Sequence, residues 1–225
     1  MVDSSLGRHF NITRRLLDEN LAAGLETHPA YECHEPGPLR TTVTYEQLAE
    51  LVNRLSNGLR ALGIRHEQRV AILHDDSIEA VASLLAAIRI GAVPIVVNTM
   101  LKPDKIEFIL NDSRAACLIT EAAQQDNLAQ LKTKTPYLEH TVCRDGENGD
   151  GAVSFEELAA ENSPRLEAFD SFADEVALWQ YTSGTTGEPK GVMHTHRQIA
   201  FTATSFFEKI LQLGSSDRTY CVSKL

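Results

Sequence analysis

The chain has 225 residues, 43% of them hydrophobic and 23% charged, and a formal net charge of −10. Such a composition is ordinary for a globular protein long enough to bury a core, and the acidic excess supplies no basic footprint for a nucleic-acid backbone. The four cysteines, Cys33, Cys117, Cys143 and Cys221, stand far apart without a CxxC pair, and read as reduced thiols of an intracellular, cytoplasmic protein.

The N-terminal MVDSSLGRHFNITRRLLDEN has no apolar core of the secretory type. From residue 41 onward, helical and strand-like segments alternate. Thr44 and Gln47 form a capping-box pattern ahead of a helix over 45–62, with Leu48, Leu51, Leu55, Leu59 and Leu62 at helical spacing and Gly63 as its stop. RVAIL at 69–73 reads as a buried strand. Asp75, Asp76 and Ser77 offer caps for the next helix, which carries Ile78, Val81, Leu85 and Ile88 on one face and ends at Gly91. The run 80–97 has the length of a membrane span, but Arg89 sits inside it and Gly91 and Pro94 interrupt it. It therefore reads as a buried helix followed by a strand at 93–97, with no membrane span.

A helix around 103–112, a strand at 115–120, a helix at 121–131 and a strand near 138–143 follow. Residues 144–151 look like an exposed loop. Ser154 and Glu157 make a second capping box, and 161–175 reads as a long surface connection. Then come a strand at 176–182, a strand at 191–194, an amphipathic helix at about 197–212 and the start of a strand at 218–225. This alternation predicts an α/β fold with a mainly parallel, doubly wound sheet. A terminal strand of this kind needs neighbours, so the chain is expected to continue past Leu225. On that reading the final SKL is no peroxisomal address, because such addresses are read at a free end.

Between the strands at 176–182 and 191–194 lies the run YTSGTTGEPKG, residues 181–191. Its glycines let the backbone approach a ligand, its hydroxyls add donors, and its lysine adds a point charge, a composition suited to polyphosphate. It is neither a Walker P-loop nor a GxGxxG fingerprint, since Pro189 and Gly191 stand where the P-loop needs Gly and Ser or Thr. At every one of its eleven positions, however, the run resembles the signature of the AMP-forming adenylate-forming enzymes. Residues 42–64, RVAIL and 88–119 follow the order of that family's N-terminal domain. The segments NTMLKP and VMHTH look closest to benzoate- and hydroxybenzoate-type CoA ligases.

The resemblance implies that residues 1–225 are an incomplete N-terminal domain of the adenylate-forming fold. It implies a two-step reaction in which a carboxylate, here pointing to an aromatic acid, attacks the α-phosphate of ATP, and coenzyme A then displaces AMP to give a thioester. Thr182, Ser183, Gly184, Thr185, Thr186 and Gly187 would hold the β- and γ-phosphates. Lys190 would add positive charge, and Mg2+ would bridge phosphate oxygens with Thr186 as its candidate protein ligand. His196, in the Thr-His pair after KGV, is a further site candidate near the acyl-binding region. His194 has no assigned role, and a His194/His196 metal pair lacks partners at ligand spacing. Trp179 is expected in the core, and Asp75 and Asp76 as caps. The family's downstream parts lie beyond this sequence, so the 225 residues alone are expected to be inactive. Two rival readings are an adenylation domain that loads a carrier-protein thiol, and a short non-catalytic nucleotide-binding protein.

Overall fold

The computed structural model describes residues 6–34, 40–131, 135–146, 151–182, 188–214 and 216–220. A π turn, Arg14–Asp18, runs into the short helix α1 (Glu19–Ala22), and strands β1 (Pro29–His34) and β2 (Arg40–Thr44) pair with each other in a separate antiparallel ribbon. Neither that ribbon nor the N-terminal helical turns shows in the periodicity. The ribbon is a two-stranded sheet apart from the main one, and it packs on the core through Ala30 and Val43.

Helix α2 (Tyr45–Ala61) begins where its capping box predicts. The Thr44 hydroxyl accepts from the Gln47 amide, and the Gln47 side chain accepts from the Thr44 amide. Its buried stripe is Leu48, Val52, Leu55 and Leu59, each burial contributing about 2 kcal/mol. Leu51 and Leu62 are only partly buried. Strand β3 (Arg69–Leu73) leads to α3 (Ile78–Arg89), whose cap is Ser77, accepting from the Ala80 amide at 3.1 Å. Asp75 is not a cap: its carboxylate accepts from the Thr99 hydroxyl at 2.6 Å. Gly63 and Gly91, both at positive φ, follow α2 and α3 as stops.

Next come β4 (Val93–Val96), α4 (Pro103–Ser113), β5 (Ala115–Glu121), α5 (Gln125–Leu131), β6 (His140–Arg144), β7 (Val153–Ser154) and α6 (Phe155–Glu161). The Ser154 hydroxyl caps α6 by accepting from the Glu157 amide, while it donates to Glu156 instead of meeting a returning Glu157 side chain. Strands β8 (Val176–Thr182) and β9 (Lys190–Thr195) and helix α7 (His196–Thr202) complete the elements.

Seven strands form one sheet in the order β7-β6-β5-β3-β4-β8-β9, parallel throughout except for the antiparallel β8–β9 pair. Alternate residues feed two cores. Val70, Cys117 and Ile119 pack with α2 and α3, whereas Ala71, Leu73 and Leu118 pack with α4 through Ile106, Ile109 and Leu110. The sheet is covered on both faces, and the expected doubly wound α/β architecture is the one observed. No described helix is long and apolar enough to cross a membrane.

Residues 162–175 form the long surface connection that their polarity suggests, but it is tied to the core. Asn53, Arg54 and Asn57 of α2 donate to the carbonyls of Pro164, Asn162 and Ser163, and Ser171 and Ala173 are fully buried. The segment is strapped down through its backbone, which its side-chain composition does not reveal. The predicted helix over 197–212 is also shorter: α7 passes into a π turn, Ala203–Glu208, and then stops. Phe206, Phe207 and Ile210 there are exposed, so no burial supports further helical turns. Residues 218–220 carry no regular structure, and the rest of the predicted last strand lies outside the described residues.

Candidate functional site

Strand β8 lies parallel to β4, with Ile95 beside Trp179 and Val96 beside Gln180. Its last residue, Thr182, therefore stands at the carboxyl end of the sheet, the edge at which open α/β sheets bind ligands. From there the chain turns back into β9, and the register pairs Thr182 with Lys190. The run 181–191 thus begins on β8 and ends on β9, with its paired bases at that edge. Thr182 and Lys190 are its two exposed bases, and Ser183, Gly184, Thr185, Thr186 and Gly187 lie outside the described residues. The Thr182 hydroxyl reaches the Lys190 carbonyl only at 3.5 Å. Among the described residues, no carboxylate lies within ion-pair distance of the Lys190 ammonium, so its charge stays available at the tip.

Strand β8 carries an aromatic pair on one face. The Trp179 and Tyr181 rings lie nearly parallel, 7° apart with centroids at 6.0 Å. The Trp179 indole also covers Gly191, where a Cβ would lie 1.7 Å from Nε1. Only glycine allows that approach. Trp179 is partly buried against the α4-side core, in agreement with its expected packing role.

Helix α4 touches the hairpin on both sides of its tip. The Tyr181 hydroxyl donates to Asp112 Oδ2 at 2.5 Å, and burial followed by this carboxylate raises the Tyr181 pKa. Lys105 Nζ donates to Glu188 Oε1 at 3.0 Å. Lys105 and Asp112 are seven residues apart, two helical turns on one face. That spacing is visible in the sequence, but nothing in it says that this face meets residues 181 and 188.

His196 begins α7 directly behind the hairpin and is 2% exposed. Its Nδ1 accepts from the Ile12 amide at 3.1 Å, which assigns the proton of the neutral ring to Nε2. Burial lowers its pKa to about 4, against a smaller opposing effect of Glu175. His194 belongs to β9 and His196 to a helix, so the two do not share a strand face. Among the described residues, no group of three or more His, Cys, Asp or Glu side chains could hold a metal ion.

The lowered His196 pKa makes stability pH-dependent. Between pH 6.5 and about 4 the unfolded chain binds the proton that the folded chain refuses, so stability is full above pH 6.5 and falls as pH drops through that window. The expected loss is up to about 3 kcal/mol. Urea titrations at pH 7 and pH 4.5 should show it, and His196→Gln should flatten the difference. An equal slope in both proteins would place the proton elsewhere.

A second constellation occupies the same sheet edge. Buried His74, just after β3, has Nδ1 3.5 Å from Glu121 Oε2 at the end of β5, and the Asp75 amide donates to Glu121 Oε1 at 2.9 Å. By contrast, a cavity of about 370 Å³ lined by Arg60, His66, Arg89 and Phe169 opens where α2 and α3 end, at the sheet's opposite edge.

A doubly wound α/β sheet closed at one edge by the antiparallel β8–β9 pair, with Thr182 and Lys190 at its carboxyl end, is the architecture that carries these residues. The family model "AMP-binding enzyme" matches residues 19–225, and the chain belongs to that family. It is 33% identical over 217 residues to a benzoate–CoA ligase of Thauera aromatica, covering 96% of this chain and 40% of the relative. It is 32% identical over 216 residues to a 3-hydroxybenzoate–CoA/4-hydroxybenzoate–CoA ligase of the same organism, again covering 96% of this chain and 40% of the relative. The crystal structure of an anthranilate CoA ligase in complex with anthranoyl-AMP superposes with a TM-score of 0.89 at 32% identity, covering all of this chain and 42% of that one. The chain thus spans about two fifths of the length of these relatives.

Proposed function

We propose that this chain supplies the phosphate-binding part of an AMP-forming carboxylate–CoA ligase acting on an aromatic acid in the cytoplasm. The single observation that carries the proposal is the Thr182–Lys190 hairpin base at the carboxyl edge of the sheet, in a chain of the AMP-binding family. ATP activation of a carboxylate joins two anions, so the site has to neutralise phosphate charge and hold the attacking oxygen in line. In this reading Lys190 and the Thr182 hydroxyl, with the hydroxyls and amides of Ser183, Gly184, Thr185, Thr186 and Gly187, hold the β- and γ-phosphates as pyrophosphate departs. A hydroxyl and ammonium set suits phosphate oxygens better than a bare cation, so Mg2+ enters as part of the MgATP substrate, with Thr186 as its protein ligand. His196, buried and neutral, serves by fixing the start of α7 behind the hairpin. Coenzyme A is the proposed thiol acceptor.

The aromatic assignment rests on the benzoate, hydroxybenzoate and anthranilate ligases among the relatives. Acid-dependent ATP–pyrophosphate exchange by the intact protein tests it, with benzoate, hydroxybenzoates, anthranilate and a long-chain fatty acid as substrates. Exchange is expected with the aromatic acids and weakly or not at all with the fatty acid. Exchange with none of them would remove the catalytic reading.

A further inference from the structure

Helix α4 is defined at both ends and anchored along one face. Pro103 starts it, Arg114 in the left-handed region ends it, and Ile106, Ile109 and Leu110 anchor it in the core. Its outer face is therefore a fixed reference for whatever it touches. It touches the residue two places before the undescribed tip, Tyr181, through Asp112, and the first residue after the tip, Glu188, through Lys105. We propose that Asp112 and Lys105 are positioning residues that hold Tyr181 at the end of β8 and Glu188 ahead of β9 in place for nucleotide phosphate. The inference rests on the function proposed above and deepens it.

The two contacts do different work. The bond from Tyr181 to Asp112 ends on a carboxylate and is charge-assisted, and it aligns β8 through a ring that lies parallel to Trp179. Preorganised donors need not be ordered when the nucleotide arrives, which favours binding. The Lys105–Glu188 pair is exposed, with side-chain exposures of 30% and 59%, and as a surface ion pair it adds little stability. Its purpose is electrostatic. Glu188 directly follows the tip and without Lys105 would present an uncompensated carboxylate to incoming phosphates.

The test uses the intact protein with Asp112→Asn, Tyr181→Phe and their double, and Lys105→Met, Glu188→Gln and their double. Hydrogen exchange of backbone amides in 176–195 is expected to speed up roughly tenfold in Asp112→Asn or Tyr181→Phe, and no further in the double. Amides of β3 should stay unchanged, since Asp112 is exposed and its loss leaves the core intact. The KM for ATP should rise about tenfold with kcat within about twofold, and Lys105→Met should raise KM in a way that adding Glu188→Gln reverses. Unchanged hairpin exchange, additive effects, or faster exchange with an unaltered KM would each overturn the positioning role. A wild-type protein inactive with every acid would sink the catalytic proposal alone, because the exchange measurement still decides whether α4 holds the hairpin.

Discussion

Lys190→Ala is expected to lower acid-dependent ATP–pyrophosphate exchange about a hundredfold while leaving the urea midpoint unchanged. Lys190 is exposed at the first position of β9, and its ammonium has no carboxylate partner among the described residues, so the fold loses little when it is removed. On the proposed function, the reaction would lose a positive charge at the place where the leaving pyrophosphate would concentrate negative charge. Removing one such preorganised group commonly costs about 3 kcal/mol in the transition state, which corresponds to roughly two orders of magnitude in rate. Lys190→Arg tests the geometry as well as the charge, because a planar guanidinium does not substitute freely for a point charge. Wild-type exchange in Lys190→Ala would take the hairpin out of the chemistry, whereas a large fall in the urea midpoint would mean that the lysine is structural.

Among the described Asp, Glu, Lys and Arg residues, Arg89→Ala is expected to produce the largest stability loss. The side chain is 4% exposed at the end of α3 and is held by bidentate bonds to Asp18 at 2.9 and 3.1 Å and by the Leu166 carbonyl at 2.6 Å. One guanidinium thus joins the N-terminal helical turns, α3 and the strapped segment before β8. Removing it strands the Asp18 carboxylate and the Leu166 carbonyl and opens a cavity. Breaking a buried pair costs about 3–5 kcal/mol, and Asp18, at 40% exposed, keeps enough water to favour the lower end, about 3 kcal/mol. Urea denaturation followed by circular dichroism measures it. A loss below about 1 kcal/mol, the range of a surface pair, would show that the three segments do not depend on this residue. Arg89→Met, which restores volume without charge, is expected to recover part of the loss if packing dominates.

Most of what reads correctly from the sequence involves residues within four positions of one another. The Thr44–Gln47 box, the Ser77 cap, the Gly63 and Gly91 stops and the apolar runs of β3 and β5 all depend on local periodicity and local hydrogen bonds. Those elements, their alternation and the unusual composition of the hairpin tip were legible for the same reason. Where local pattern misled, a distant partner or the lack of one was responsible. The second half of the predicted 197–212 helix carries apolar residues with nothing described to cover them, and the surface segment 162–175, read correctly as exposed, gives no sign that its carbonyls bond α2.

By itself the sequence determined the α/β class, the strands and helices of the doubly wound core, and a phosphate-suited loop between two strands. Only the tertiary structure decided that β9 runs antiparallel at one edge and that His196 is buried under Ile12, 184 residues away. It alone decided that Arg89 finds Asp18 across 71 residues, and that α4 meets the hairpin across 69 and 83. The physical reason is one of range. Helix caps and strand periodicity are set by backbone geometry over a few residues, whereas a buried charge or a helix face is satisfied by whichever segment the packed core brings within about 3 Å.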